Sequence, residues 1–396
     1  MRKIILILLV VFSFADAKVQ RLSPVPPASI EYIDLDPAPC DLSCLQELSQ
    51  KNLIFSFLAR YDESVADAEM KALYLAHSKG VAKIVVTQDM KAGLSGQKIA
   101  ILLPEKTIGG YSHVISDAVF AYIISEEINA EVKFYLTGTE EPNALMSAIK
   151  SIERDGISLV IAPVTARGAN FLSNYSNPNT LFFIPTLHYS AVKESSGNLF
   201  FGGIDYEEQV EKLLNVSNSD ILILHDESAL AKSINSSVMA KGEVTNSLTI
   251  NTAQSSLTGR VAKKPTTVFL NLPTNSVARS ISELKIDGFL PEYLLSTQIN
   301  YAPRLLSLVG YEDRKNLYIA NSIGNVPENI AGVASVLNLD IYFNWVAYST
   351  VIGLDYLYST FANPEHKRVF SEPVIGSSIS YDTRVYRSDK YKFIEN

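Results

Sequence analysis

The chain has 396 residues, 47% of them hydrophobic and 19% charged, with a formal net charge of −8. That length exceeds one average domain and can bury a sizeable core. The acidic balance, without a basic cluster, excludes nucleic acid as an expected partner, and 20 Tyr and 17 Phe argue against an intrinsically disordered chain.

The first predicted element is a signal peptide over residues 1–17. Arg2 and Lys3 precede an apolar run from Ile4 to Phe14, too short to span a bilayer, and Ala15-Asp16-Ala17 supplies small residues for cleavage after Ala17. An uncleaved anchor is the alternative. No later apolar segment reaches the roughly 20 residues of a membrane helix, so no membrane span is expected after cleavage. Residues 18–39, with Pro24, Pro26, Pro27, Pro37 and Pro39, read as a Pro-rich linker.

Cys40 and Cys44 are the only cysteines. In an oxidising compartment they are expected to form a disulfide with each other, because one helical turn brings Cα atoms to about 6 Å. A redox-active pair is the sharper reading, but such motifs usually hold two residues between the cysteines, not three. Residues 40–97 form a helical N-terminal arm. Leu45, Leu48, Ile54, Phe55 and Leu58, then Met70, Leu73 and Leu75, recur at helical spacing, with a break at Arg60–Ser64. A helical hairpin this small needs a surface to dock on. A short strand over 81–88 and a turn over 91–97 complete the arm.

From Lys98 strands and helices alternate. Ile99–Leu103, Val132–Leu136, Leu159–Ala162, Leu181–Ile184 and Leu199–Phe201 are predicted strands; the apolar run of the first suits a strand buried on both faces. Helices are predicted between them. A second series follows Gly202-Gly203, with strands at Ile221–Leu224, Ser247–Ile250, Val268–Leu270, Gly288–Leu295 and Leu317–Ile319. A long helix from about Asp340 to Ser359 and a β-hairpin over Val374–Phe393 end the chain. This rhythm predicts an α/β protein with two Rossmann-like lobes built on parallel sheets.

The order of these units resembles the type I periplasmic binding-protein superfamily, which includes leucine/isoleucine/valine receptors. Lys98–Pro104, Val160–Thr165, Phe183–Leu187 and Ile221–Glu227 carry the likeness. A narrower resemblance, on Leu295–Asn300, Asn316–Asn321 and Val374–Asp382, is to the C-terminal domain of LpoA-type activators of penicillin-binding proteins. This chain lacks their lipid-bearing cysteine, and about 80 residues stand where they carry a helical-repeat domain. The resemblance implies a periplasmic location and three chain crossings, expected near Gly203, Leu295 and Pro364. Lobe 1 would then be 98–203 plus 296–363, and lobe 2 would be 204–295 plus 364–396.

Ligands of open α/β sheets sit beyond the carboxyl ends of the strands, here the cleft between lobes. The candidates there are Lys106, Tyr111, Ser112, Thr165, Arg167, Thr186, His188 and Tyr189 from the first lobe, and Asp226, Glu227, Asn271, Glu292 and Tyr293 from the second. Hydroxyls would receive a carboxylate and an acidic group an ammonium. The plainer reading is that Thr and Ser after strands cap the next helix. The second lobe has Ser228-Ala229-Leu230 where solute receptors often place an aromatic lid.

No Gly-x-Ser-x-Gly elbow, Walker loop or His-Glu-x-x-His is present, and the five histidines are scattered singly. His225-Asp226 resembles a charge-relay pair, but neighbours in a strand face opposite sides. No catalytic residue, cofactor or metal is therefore expected. Two non-enzymatic functions remain. One is a protein-interaction module with an envelope protein partner, suggested by the arm and by the missing lid. The other is a solute receptor for an amino acid or similar small polar ligand feeding an ABC transporter. The aromatic stripe Tyr342, Phe343, Trp345, Tyr348, Tyr356 and Tyr358 reads first as helix packing.

Overall fold

The computed structural model describes residues 40–78 except 52, and 97–396 except 176, 178, 193–196, 251–255, 262 and 263. The signal peptide, the Pro-rich linker, the strand over 81–88 and most of the following turn lie outside the described residues. The chain divides into two units, Met1–Leu94 and Ser95–Asn396.

The first unit contains α1 (Leu42–Gln50), α2 (Ile54–Arg60) and α3 (Ala68–Ser78). The expected break falls after α2; a second one, at 51–53, was not legible in the spacing. Asp41 caps α1 by accepting the Cys44 N–H at 2.9 Å, and Asp67 caps α3 through the Met70 N–H at 2.8 Å. Leu45, Leu48, Phe57 and Met70 form a small core, and Tyr61 stacks on Tyr74. Cys40 and Cys44 are disulfide-bonded.

The second unit holds two sheets of seven strands each. In chain order the first lobe runs β1 (Gln97–Leu103), α4 (Glu105–Ile108), α5 (Tyr111–Ser125), β2 (Ala130–Leu136), α6 (Pro142–Arg154), β3 (Leu159–Ile161), α7 (Ala166–Ser173), β4 (Leu181–Ile184) and β5 (Leu199–Phe201). The second runs α8 (Tyr206–Leu214), β6 (Ile221–His225), α9 (Ala229–Lys241), β7 (Val244–Thr249), β8 (Thr267–Asn271), α10 (Thr274–Ile286), β9 (Tyr293–Ser296), α11 (Pro303–Leu308), α12 (Tyr311–Arg314) and β10 (Leu317–Asn321). Then come α13 (Glu328–Val336), α14 (Trp345–Leu357), β11 (Val374–Ile375), β12 (Ser378–Ile379), β13 (Arg384–Ser388) and β14 (Phe393–Glu395).

The strand order is β11-β12-β5-β4-β3-β1-β2 in one sheet and β14-β13-β10-β9-β8-β6-β7 in the other. The parallel part of each is doubly wound, with its second strand outside the first, so each sheet has a switch point. Both sheets are mostly parallel, as expected, and the terminal strands edge them in antiparallel pairs: β11 is antiparallel to β12, β13 to β10, and β14 to β13. Ile99 to Leu102 and all of β8 are buried, as runs covered on both faces by helices should be.

Sheet membership moves two of the expected crossings. β10 pairs in parallel with β9, so residues 296–321 continue the second sheet and the chain returns after Asn321, not at Leu295. The short helices α11 and α12 supply the crossover that a parallel neighbour of β9 requires. The expected single hairpin is two: β11–β12 joins the first sheet beside β5, while β13–β14 joins the second beside β10. The third crossing therefore falls between Ile379 and Arg384, not at Pro364. The first sheet's β5 ends at Phe201, and the chain reaches the second sheet at β6.

Candidate functional site

Between the two lobes lies a cleft of about 640 Å³ at the carboxyl ends of the first sheet's strands. Its first wall comes from the two sides of the switch point, with Tyr111 beyond β1 and Thr165, Ala166 and Arg167 beyond β3. Thr186, Leu187, His188, Ser190 and Ala191, beyond β4, extend it. Ile204 to Glu207 form the floor as the chain crosses over. The opposite wall is α9, through Ala229, Leu230, Ser233 and Ser237, and Trp345 and Val346 close one end.

The floor depends on two glycines. A Cβ on Gly203 would stand 2.0 Å from the Leu187 carbonyl carbon, and one on Gly202 would stand 2.4 Å from the Phe183 ring. Without side chains, the crossover lies against the 186–188 loop, and the Gly203 N–H donates to the Leu187 carbonyl at 2.8 Å.

Helix caps occupy much of the polar lining. Thr165 is the N-cap of α7, accepting the Arg167 N–H at 3.3 Å, and its hydroxyl donates to Glu140. Glu140, only 4% exposed, also accepts the Thr165 N–H at 2.6 Å and the Gly168 N–H at 3.0 Å. Asp205 caps α8 through the Glu207 and Glu208 N–H groups at 2.9 and 3.2 Å. Arg167 pairs with Glu141 at 2.9 Å, and Glu207 with Lys241 at 2.8 Å. Thr186 donates to the Val164 carbonyl at 2.7 Å.

Two groups behave differently. The Tyr206 hydroxyl is buried and makes no hydrogen bond within the protein. Burial, and then the neighbouring Tyr111, push its pKa up, so it stays a neutral phenol. His188 is held below its ordinary pKa mainly by burial, against the pull of Asp205, Glu208 and Glu207. Its Nδ1 lies 2.9 Å from the Ser190 hydroxyl.

Of the residues singled out in the sequence, the cleft brings together Tyr111, Thr165, Arg167, Thr186 and His188. Tyr189 is exposed beside it, its ring 4.4 Å from that of His188. The Ser112 hydroxyl is buried and unpartnered one residue beyond Tyr111, outside the lining. Lys106 is exposed on α4, and its methylenes lie toward Gly138 at the end of β2. Asp226 accepts the Ser228 N–H at 2.9 Å, and Glu227 is exposed; neither lines the cleft. Asn271 is buried and donates to Asn235 at 2.5 Å, turned into α9. Glu292 and Tyr293 sit at the opening of β9, the end of the sheet away from the cleft. The expected strand over Gly288–Leu295 starts late, because Gly288 (φ +82°) ends α10 and Phe289 still bonds back to Leu284.

Sequence reasoning missed Asp205, Tyr206, Glu207, Leu230, Ser233 and Ser237, and it read Trp345 as packing. The crossover at Gly203 was visible, and residues just past it were the available clue. Leu230 lines the cleft from the segment where an aromatic lid was sought; the aromatic rings come instead from Tyr111, Tyr206 and Trp345.

Two doubly wound lobes, three crossings and a cleft between them define the architecture, and solved structures share it. The fold is that of the type I periplasmic binding proteins. A branched chain amino acid ABC transporter periplasmic ligand-binding protein from Burkholderia xenovorans superposes with a TM-score of 0.54 at 12% identity, over 76% of this chain and 94% of its own. A branched-chain amino acid transporter substrate binding protein from Streptococcus pneumoniae, in complex with isoleucine, gives 0.52 at 11% identity over 76% and 100%. An ABC transporter solute binding protein from Rhodopseudomonas palustris, in complex with p-hydroxybenzoic acid, gives 0.56 at 11% identity over 76% and 95%. No family model matches the chain, and no curated protein matches it. Among the described residues no helix is long and apolar enough to cross a membrane.

Proposed function

We propose that this chain is an exported, non-enzymatic solute-binding protein whose inter-lobe cleft takes a small polar ligand for an ABC-type transporter. One observation carries the reading: the space between the lobes is an open cleft of about 640 Å³, within the range of small-molecule sites, in which a few hydroxyls stand among apolar and aromatic side chains. Side chains filling the cleft would have favoured the interaction module; here the space is open. The expected signal peptide over residues 1–17 supports a periplasmic location under this reading. The LpoA-type resemblance implies a protein partner instead, and no feature of the described residues favours it.

A thermal-shift panel of amino acids, aromatic acids and small amines on the full mature chain tests the proposal. At least one class should raise the melting temperature, since a ligand at 100 times its Kd adds about 2.7 kcal/mol. Ser233→Trp, which would fill the cleft from α9, should reduce that rise while leaving the unliganded transition in place. A flat response across the panel, with stoichiometric capture of an envelope protein, would return the reading to an interaction module.

A further inference from the structure

We propose that the outer edge of β2 is a dimerisation surface, on which a second copy of this chain adds its own β2 in antiparallel register. The inference stands apart from the solute-binding reading, since no β2 residue lines the cleft.

Among the described residues four strands edge the two sheets, and three of them resist such pairing. β11 and β14 are only two and three residues long. β7 carries Thr245 and Asn246 at its exposed positions, and its register with β6 shifts between Ile221 and Leu222. Short length, polar side chains and a bulge all protect an edge. β2 is long, regular and apolar on one face. It runs seven residues in unbroken register with β1. Val132, Phe134 and Leu136 share one face, and Phe134 and Leu136 are 43% and 65% exposed. Phe120 of α5 stands beside them, its ring 6.3 Å from that of Phe134, and one turn further on Ile124 is exposed too.

The backbone and the side chains of this edge both fit a two-fold axis. The Thr137 N–H donates to the Leu103 carbonyl at 2.9 Å, so the odd-numbered residues of β2 turn their backbone groups toward β1. Val132, Phe134 and Leu136 therefore turn theirs outward, away from the sheet. An axis at Phe134 places Phe134 opposite its own copy and Val132 opposite the second copy's Leu136. The outward N–H and C=O groups of all three then find partners, and the apolar side chains meet across the axis on one face. On the other face Lys133 stands opposite the second copy's Tyr135, with no like charges facing. Lys133 is already held by Asp155 at 3.4 Å and Glu131 at 3.6 Å. An axis at Lys133 would set two ammonium groups against each other, so the pattern favours the register centred on Phe134.

Sedimentation velocity of the full mature chain tests the proposal, with a monomer–dimer equilibrium expected at micromolar concentrations. Phe134→Lys sets two charges on the axis and should weaken dimerisation by about tenfold or more. Phe134 is exposed, so the monomer should keep its circular dichroism spectrum. Phe134→Cys should cross-link two chains under mild oxidation. Opposed residues of a hydrogen-bonded antiparallel pair have Cα atoms about 5.5 Å apart, within disulfide range, and the native cysteines are bonded to each other. Leu136→Cys is the register control: its two copies would lie about 14 Å apart along the strands and should not link. A chain that stays monomeric at every concentration overturns the proposal. So does a dimer that Phe134→Lys leaves intact, or equal cross-linking of the two cysteine variants.

Discussion

At the scale of single residues, close approach governs as much as chemistry. The Phe183 ring lies between two glycines: a Cβ on Gly353 of α14 would stand 2.1 Å from it, and one on Gly202 would stand 2.4 Å away. In an exposed helix, Gly→Ala would stabilise by about 1 kcal/mol. Here Gly353→Ala should destabilise by about 1–3 kcal/mol, because the methyl would push a buried ring off its packing. Urea denaturation monitored by circular dichroism checks the sign, and an increase in stability would refute the packing argument. Residue types also mislead at this scale. Thr165 was visible as a hydroxyl after a strand; it lines the cleft and it caps α7. Glu140 was not legible at all, since its partners lie 25 and 28 residues away in sequence and meet it only once β2 and β3 flank β1.

At the scale of elements, α14 is the clearest case. The aromatic stripe predicted a packing helix, and most of α14 is buried against α5 and the first sheet. Its burial carries a charge with it. Asp355, wholly buried, accepts the Tyr122 hydroxyl at 2.9 Å and the Val369 and Phe370 N–H groups at 3.2 and 3.1 Å, with Arg368 at 3.5 Å. The carboxylate thus fastens the 363–372 segment, the run-up to β11, onto the helix. Asp355→Ala should cost about 3–5 kcal/mol, since it strands two amides, a phenol and a guanidinium at once. Asp355→Asn should cost less. Equal losses in chemical denaturation would show that charge, not hydrogen bonding, is what holds the segment. The strands themselves were legible because runs such as Ile99–Leu103 and Val268–Leu270 are apolar on both faces. β9 was misjudged at its start because Phe289 and Leu290 extend the apolar run although Gly288 ends the preceding helix there.

At the scale of the whole molecule, buried side chains bind the second and third crossings together. Gln209 donates to Ser322 at 2.8 Å, Ser322 meets Thr383 at 3.0 Å, and Gln298 bridges Gln209 and Asn321. Ser322 opens the second crossing and Thr383 closes the third, so the network ties those two crossings to α8. Buried phenols add a second global property. Tyr301 and Tyr175 are pushed up to about 12, mainly by burial, and Tyr122, Tyr206, Tyr348 and Tyr381 are also raised, again mainly by burial. In the unfolded chain they ionise near 10. The folded state then keeps protons that the unfolded state releases, so this contribution is complete below about pH 10 and is lost as pH rises through the folded values. Urea midpoints should fall steadily above about pH 10; a flat profile to pH 12 would contradict the burial of these rings.

The sequence by itself determined the alternation of strands and helices from Lys98 and the two-lobed class, because each follows from local apolar runs and turn residues. Only the tertiary structure decided that β10 extends the second sheet, that the terminal hairpin is two, and that α9 and the crossover, rather than the strand ends of β6 and β8, complete the cleft. Sheet neighbours are chosen by burial against partners far away in the chain, and a cleft wall is whatever surface faces another across a hinge. Neither quantity is written in the spacing of residues along one segment.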